Sequence, residues 1–177
     1  MKKIIAAFVA AMMISVFATG CFGMGQKTPV ATGDEAKSQN AADYENNFTG
    51  LCNYLASFGY INPMEDNVDI TYATMDSDLI GAAQGRKFNE QTKKSATIEI
   101  YEYVPEKMNA TSDEVIKSVK ENGSFAILDL PKVNAILSNN EKYLMIYTDR
   151  NIQEDNTESE PYALREEIVT KFKGFYE

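Results

Sequence analysis

The chain is 177 residues long and 44% apolar, enough for one packed domain with appendages and too apolar for a disordered polymer. Acidic side chains outnumber basic ones 26 to 17, a balance that repels nucleic acid and anionic bilayers. The absence of histidine excludes Ser-His-Asp and Cys-His catalysis, histidine-bound zinc and a histidine pH switch.

The first twenty-one residues, MKKIIAAFVAAMMISVFATGC, open on Lys2 and Lys3. They continue as an apolar run from Ile4 to Ala18 that only Ser15 interrupts. As a helix this run reaches roughly 23 Å, short of the roughly 30 Å of hydrocarbon that a permanent span crosses. A basic start, a short apolar middle and small residues at the end describe an export signal that is later cut. A transmembrane anchor is disfavoured by length, and a core helix by the lack of a polar face. Cleavage after Ala18 would leave an ordinary secreted protein. Without Lys2 and Lys3 the basic count falls from 17 to 15 against 26 acids, a mature charge of about minus eleven.

Ala18-Thr19-Gly20-Cys21 resembles the lipobox of bacterial lipoproteins, with Ala18 where that family usually has leucine. The resemblance implies that Cys21 receives a diacylglyceryl group and becomes the first residue of the mature chain. Two or more acyl chains, at about 0.8 kcal/mol per buried CH₂, anchor stably where one does not. The address implied is the cell membrane, lipid-anchored and facing outside the cytoplasm. In bacteria with two membranes, Phe22 resembles the outer-membrane sorting pattern.

From residue 21 to residue 42 the chain is rich in Gly, Thr, Ala, Ser, Gln and Asn and has no sustained periodicity. It reads as a tether with a reach of roughly 25 Å. The folded domain is expected over 43–177. Phe48, Leu51, Cys52, Leu55 and Phe58 make the apolar stripe of a helix ending near Gly59. Cys52, on that stripe, reads as a small packed side chain rather than a reactive thiol.

"LIGAAQGRKF" (79–88) and "SATIEIYEYV" (95–104) read as two strands of an antiparallel hairpin across "NEQTKK". Gly81 and Gly85 have GxxxG spacing without a following Gly-Lys-Ser/Thr, so a bulge or close backbone approach is expected rather than a phosphate loop. "TSDEVIKSVKENG" predicts a helix with a capping box from Thr111 to Glu114 and a stop at Gly123, buried along Val115, Ile116 and Val119. "SFAILDL" predicts a short strand closed by Pro131. Val133–Leu137 and Lys142–Tyr147 predict a second hairpin across "SNNE", with "KYLMIY" central in the sheet. A last helix is expected from about Pro161 to Phe175, N-capped by Ser159, with Leu164, Ile168, Phe172 and Phe175 on one face.

The sum is an α+β single domain, an antiparallel sheet of about four to five strands burying one face under two or three helices. Residues 79–147 resemble small uncharacterised lipoproteins of Gram-positive gut and soil bacteria, which implies this architecture and address and supplies no catalytic residues.

Candidate chemistry is sparse. The acidic loop with Asp149, Asn151, Glu154, Asp155, Glu158 and Glu160 offers hard oxygen ligands, but Glu154 stands where an EF-hand loop needs glycine. A solvated loop is the better reading, as it is for Glu65, Asp66, Asp69, Asp76 and Asp78. No metal and no cofactor is expected. Glu102 and Asp129, in apolar surroundings, are the carboxylates a hydrolase would draw on. Tyr101 and Tyr103 share one strand face and Tyr143 and Tyr147 another; paired strands would make of them a patch for a protein or glycan, with burial in the core the commoner fate. The expected function is a binding or interaction module of the envelope, with a carboxylate-dependent hydrolase of wall polymer or peptide as the alternative. Expected partners are the membrane, through the N-terminal lipid, and an envelope protein or glycan, with no nucleic acid.

Overall fold

The computed structural model describes residues 40–64, 71–128 and 130–177. The leader, Cys21, most of the tether, Glu65, Asp66, Asp69 and Asp129 lie outside the described residues.

Helix α1 (Phe48–Ser57) starts where the Asn47 side chain accepts the Gly50 N–H at 2.8 Å, which satisfies one of the N–H groups a helix start leaves open. Its predicted stripe is buried: Leu51, Cys52 and Leu55 are fully covered, Phe48 and Phe58 nearly so. Packing reaches back to Ala41, which rests against the same cluster.

Five strands follow the order β1-β2-β3-β7-β6, every neighbour antiparallel: β1 (Tyr72–Thr74), β2 (Gln84–Asn89), β3 (Ala96–Glu102), β6 (Ile136–Leu137) and β7 (Tyr143–Asp149). β7 lies between β3 and β6, which accounts for the two-sided apolar character of "KYLMIY". A separate pair, β4 (Ser124–Phe125) with β5 (Val133–Asn134), sits beside helix α2 (Ala110–Asn122).

The sheet is covered on both faces, a correction to the one-sided layout expected. One cluster joins α1 and helix α3 (Glu160–Lys173) to Phe88, Ile98, Ile100, Tyr143 and Met145. The other joins Val115, Ile116 and Val119 of α2 and Phe125 to Tyr101, Leu144 and Ile146. Each fully buried Leu, Ile or Phe side chain contributes about 1.5–3 kcal/mol, so the two faces share the burden of offsetting chain entropy.

Local corrections have local causes. The first hairpin strand begins at Gln84 rather than Leu79, because Asp78–Ile80 close a short 3-10 turn that ends at Gly81 with φ of 66°. The capping box of α2 belongs to Asn109 and Ser112, not Thr111 and Glu114. The Asn109 side chain accepts from the Thr111 and Ser112 N–H groups at 2.9 and 3.2 Å, while the Ser112 hydroxyl accepts the Asn109 N–H at 2.7 Å. Ser159 occupies the first cap of α3 but turns its hydroxyl to donate to the Asn156 carbonyl.

The β2–β3 loop is built on Glu90, which is fully buried. Its carboxylate accepts the N–H groups of Thr92, Lys93 (2.9 Å) and Lys94 (3.0 Å). Charge-assisted bonds of this kind contribute more than neutral ones. Glu90→Ala is expected to cost about 2 kcal/mol, read as a lower urea midpoint at unchanged slope. A midpoint equal to wild type would show that water replaces the carboxylate without loss.

Candidate functional site

β3 and β7 do pair, yet the tyrosine patch does not form. Their register sets Glu102 opposite Tyr143, Tyr101 opposite Leu144 and Ile98 opposite Tyr147. Residues directly opposite share a face, so Tyr101 belongs with the α2 side while Tyr143 and Tyr147 belong with the α1 and α3 side. Tyr101, Tyr103 and Tyr143 are buried and Tyr147 is half-buried against the core. The core fate prevails, and only the register, which is non-local, decides it.

The other candidates resolve individually. Burial pushes the Cys52 thiol far up, with Arg86 opposing and Glu102 reinforcing the shift, which describes an inert thiol. Glu102 is held on both oxygens: Gln84 Nε2 donates to one at 2.7 Å and Lys142 Nζ lies 3.5 Å from the other. Asp149 accepts from the Ser95 hydroxyl (2.9 Å) and the Asn151 N–H (2.8 Å). Glu154 pairs with Arg165 through both carboxylate oxygens, a hydrogen-bonded contact that lowers the pKa of this exposed acid. Among the described residues no group of three or more Cys, Asp or Glu side chains could hold a metal ion, and no helix is long and apolar enough to cross a membrane.

Among the described residues, two large clefts share Lys120, which pairs with Glu141 at 2.7 Å. The first, about 850 Å³, lies where the chain leaves β3 and turns into α2. Its floor is Tyr103, Pro105, Met108 and Ile116, and Met108 is 38% exposed. The 3-10 turn Pro105–Lys107 and the Asn109 cap fix that floor. Its rim alternates charge: Lys117 with Glu121 at 4.0 Å, Lys120 with Glu141, and Lys142, which also donates to the Asn46 carbonyl at 3.2 Å. Asp113 also lines the cleft and makes no ion pair among the described residues, so an apolar floor lies within a largely paired, charged rim, an arrangement able to supply dispersion below and orientation at the edge. Composition did not single out Met108 or this cleft. The usable signal was the break at Pro105 between a strand and a helix, since loops joining rigid elements carry binding residues.

The second cleft, about 880 Å³, follows the outer side of β7 between α2 and α3. It contains Tyr147, the one member of the expected tyrosine set that reaches it.

Comparison with protein families, with curated proteins and with solved structures finds no match to this chain.

Proposed function

We propose that the chain is a lipid-anchored extracytoplasmic protein whose α+β domain is a binding module of the cell envelope. The observation that carries this reading is Gly20-Cys21 at the end of a basic, then apolar, leader too short to span a bilayer. Two further features agree with it. Asn46, near the start of the domain, lies on the rim of the Met108 cleft. The engagement of both Glu102 oxygens by Gln84 and Lys142 favours binding over a carboxylate-dependent hydrolase.

Cys21→Ser is expected to abolish labelling by radioactive palmitate and to move the protein from the membrane pellet to the soluble fraction. Unchanged labelling and pelleting would end the anchor reading. For the module itself, a photo-crosslinker placed at Met108 in intact cells is expected to capture an envelope protein or glycan, and the same group at exposed Thr157 to capture nothing specific. Equal capture at both positions would remove the cleft from consideration.

A further inference from the structure

We infer that the open edge of β7, from Ile146 to Asp149, accepts an added strand from a partner protein: an extended peptide with apolar residues at its centre and carboxylates toward its ends. This edge lines the second cleft, apart from the Met108 floor.

β7 pairs along all seven residues with β3, but only Leu144 and Met145 pair with β6. β6 goes no further because the chain diverts at Ala135, whose N–H donates to the Gly123 carbonyl at 3.0 Å, and Val133–Asn134 join β4 in the other sheet. Ile146–Asp149 therefore have a ladder neighbour on one side alone. Backbone direction follows from Tyr143, whose carbonyl accepts from the Ser138 N–H (2.9 Å) and whose N–H donates to the Ser138 hydroxyl (3.0 Å). Its polar groups face β6, and strand alternation turns those of Tyr147 and Asp149 the same way.

The space beside that edge is walled on both flanks. Val169, Arg165 and Lys173 of α3 stand on one side; Val119, Lys132 and Val133 stand on the other. An added strand would point alternate side chains at each wall, valines meeting its middle and cations its ends.

The charge is unusual for so acidic a chain. Lys120, Lys132, Arg165 and Lys173 all line this cleft, and Lys132 and Lys173 make no ion pair among the described residues. Of the acids present, Glu154 and Glu166 pair with Arg165, whereas Asp149 is held only by the neutral Ser95 hydroxyl and Asn151 N–H and keeps its charge. Lys132 and Lys173 outweigh Asp149, and this positive excess favours an acidic peptide over a basic one. A second copy of this chain, with net charge −9, would bring repulsion over its whole surface, where a short peptide meets only the cleft.

The test uses the full chain in a mild non-ionic detergent and blocked synthetic peptides of sequence EVTVE and KVTVK, with residue-resolved amide exchange as the readout. Saturating EVTVE is expected to slow exchange at Tyr147 and Asp149 by about tenfold or more, and KVTVK to leave it unchanged. N-methylation of EVTVE on its pairing edge should abolish the effect, while N-methylation on the other edge preserves it, a signature that groove binding without strand pairing lacks. Lys132→Glu with Lys173→Glu should weaken EVTVE binding by about tenfold. Equal binding of the two peptides, or no slowing with EVTVE, would overturn the inference. Protection of these amides before any peptide is added would also overturn it, identifying a segment of the same chain if independent of protein concentration and a second copy if dependent on it.

Discussion

Gly85→Val is expected to destabilise the domain by about 3 kcal/mol, equivalent to roughly 10 °C in Tm. Gly85 lies opposite Tyr101 in the β2–β3 ladder, and the Tyr101 ring folds across it. A Cβ built at Gly85 would sit 2.5 and 2.6 Å from two ring carbons and 3.3 Å from Met75 Cβ. The ring cannot swing aside cheaply, because it is buried against Val115, Ile116 and Val119 of α2 and its hydroxyl donates to Glu99 at 2.9 Å. Relief requires either loss of that bond, with Glu99 already paired to Lys87 at 2.9 Å, or displacement of β2 from β3. The strand gains some backbone rigidity when glycine is replaced, which offsets a fraction of the loss. Thermal unfolding measures the total, and a double-mutant cycle assigns it: with Tyr101→Leu in place the cost of Gly85→Val should fall by more than half. An undiminished cost would place the strain in the backbone and not against the ring.

What could be read from the chain, and what could not, divides by range. The apolar stripes of α1, α2 and α3 are local and periodic, and Leu51, Leu55, Val119, Ile168 and Phe172 are buried where the 3.6-residue repeat places them. Of the two glycines expected to mark a bulge or a close backbone approach, Gly81 has the backbone approach, to the Ser112 nitrogen, while Gly85 sits in an unbroken register under the Tyr101 side chain. The second hairpin was legible in part: Ile136–Leu137 pair with β7, while Val133–Asn134 join β4 in the other sheet. The interior place of β7 between β3 and β6 was legible because "KYLMIY" has no polar face to spare. The tyrosine patch failed for a non-local reason: a shift of one residue in the β3–β7 register would have brought Tyr101 and Tyr143 to the same face, and no local signal sets that register. Coverage of the second sheet face was hidden for a related reason. It depends on α2 crossing over Tyr101 and Leu144, and neither α2 nor the strands alone state where the helix lands. Glu90 was invisible because a glutamate in a polar loop has the composition of a solvated residue, and only three converging N–H groups reveal its task. The two clefts are products of divergence, at Pro105 and at Ala135, and a divergence is legible only once the elements on either side are placed.

Alkali is expected to unfold the domain in one step that begins above about pH 10. Tyr54, Tyr60, Tyr101, Tyr103 and Tyr143 are all 6% exposed or less. Burial raises the pKa of each phenol, reinforced by Glu167 at Tyr60, by Glu99 at Tyr101 and by Glu102 at Tyr143. The sign follows from proton counts. A phenol whose folded pKa lies above its unfolded value holds its proton in the native state at a pH where the unfolded chain has lost it. Its stabilisation is thus complete below the unfolded pKa and disappears as pH rises through the interval above it. Each such group contributes up to about 1.4 kcal/mol per pH unit in that interval, and five acting together reach about 7 kcal/mol per unit. Against a total stability of about 5–15 kcal/mol for a domain, that slope exhausts the native state within roughly one to two units. Far-ultraviolet circular dichroism and tyrosinate absorbance, followed together, provide the check. The buried five should ionise in the same step in which helix is lost, after any exposed tyrosines have titrated without structural change. Ionisation of all ten tyrosines while the helical signal persists would show that these phenols reach solvent in the folded state, and the two-faced core described here would be wrong.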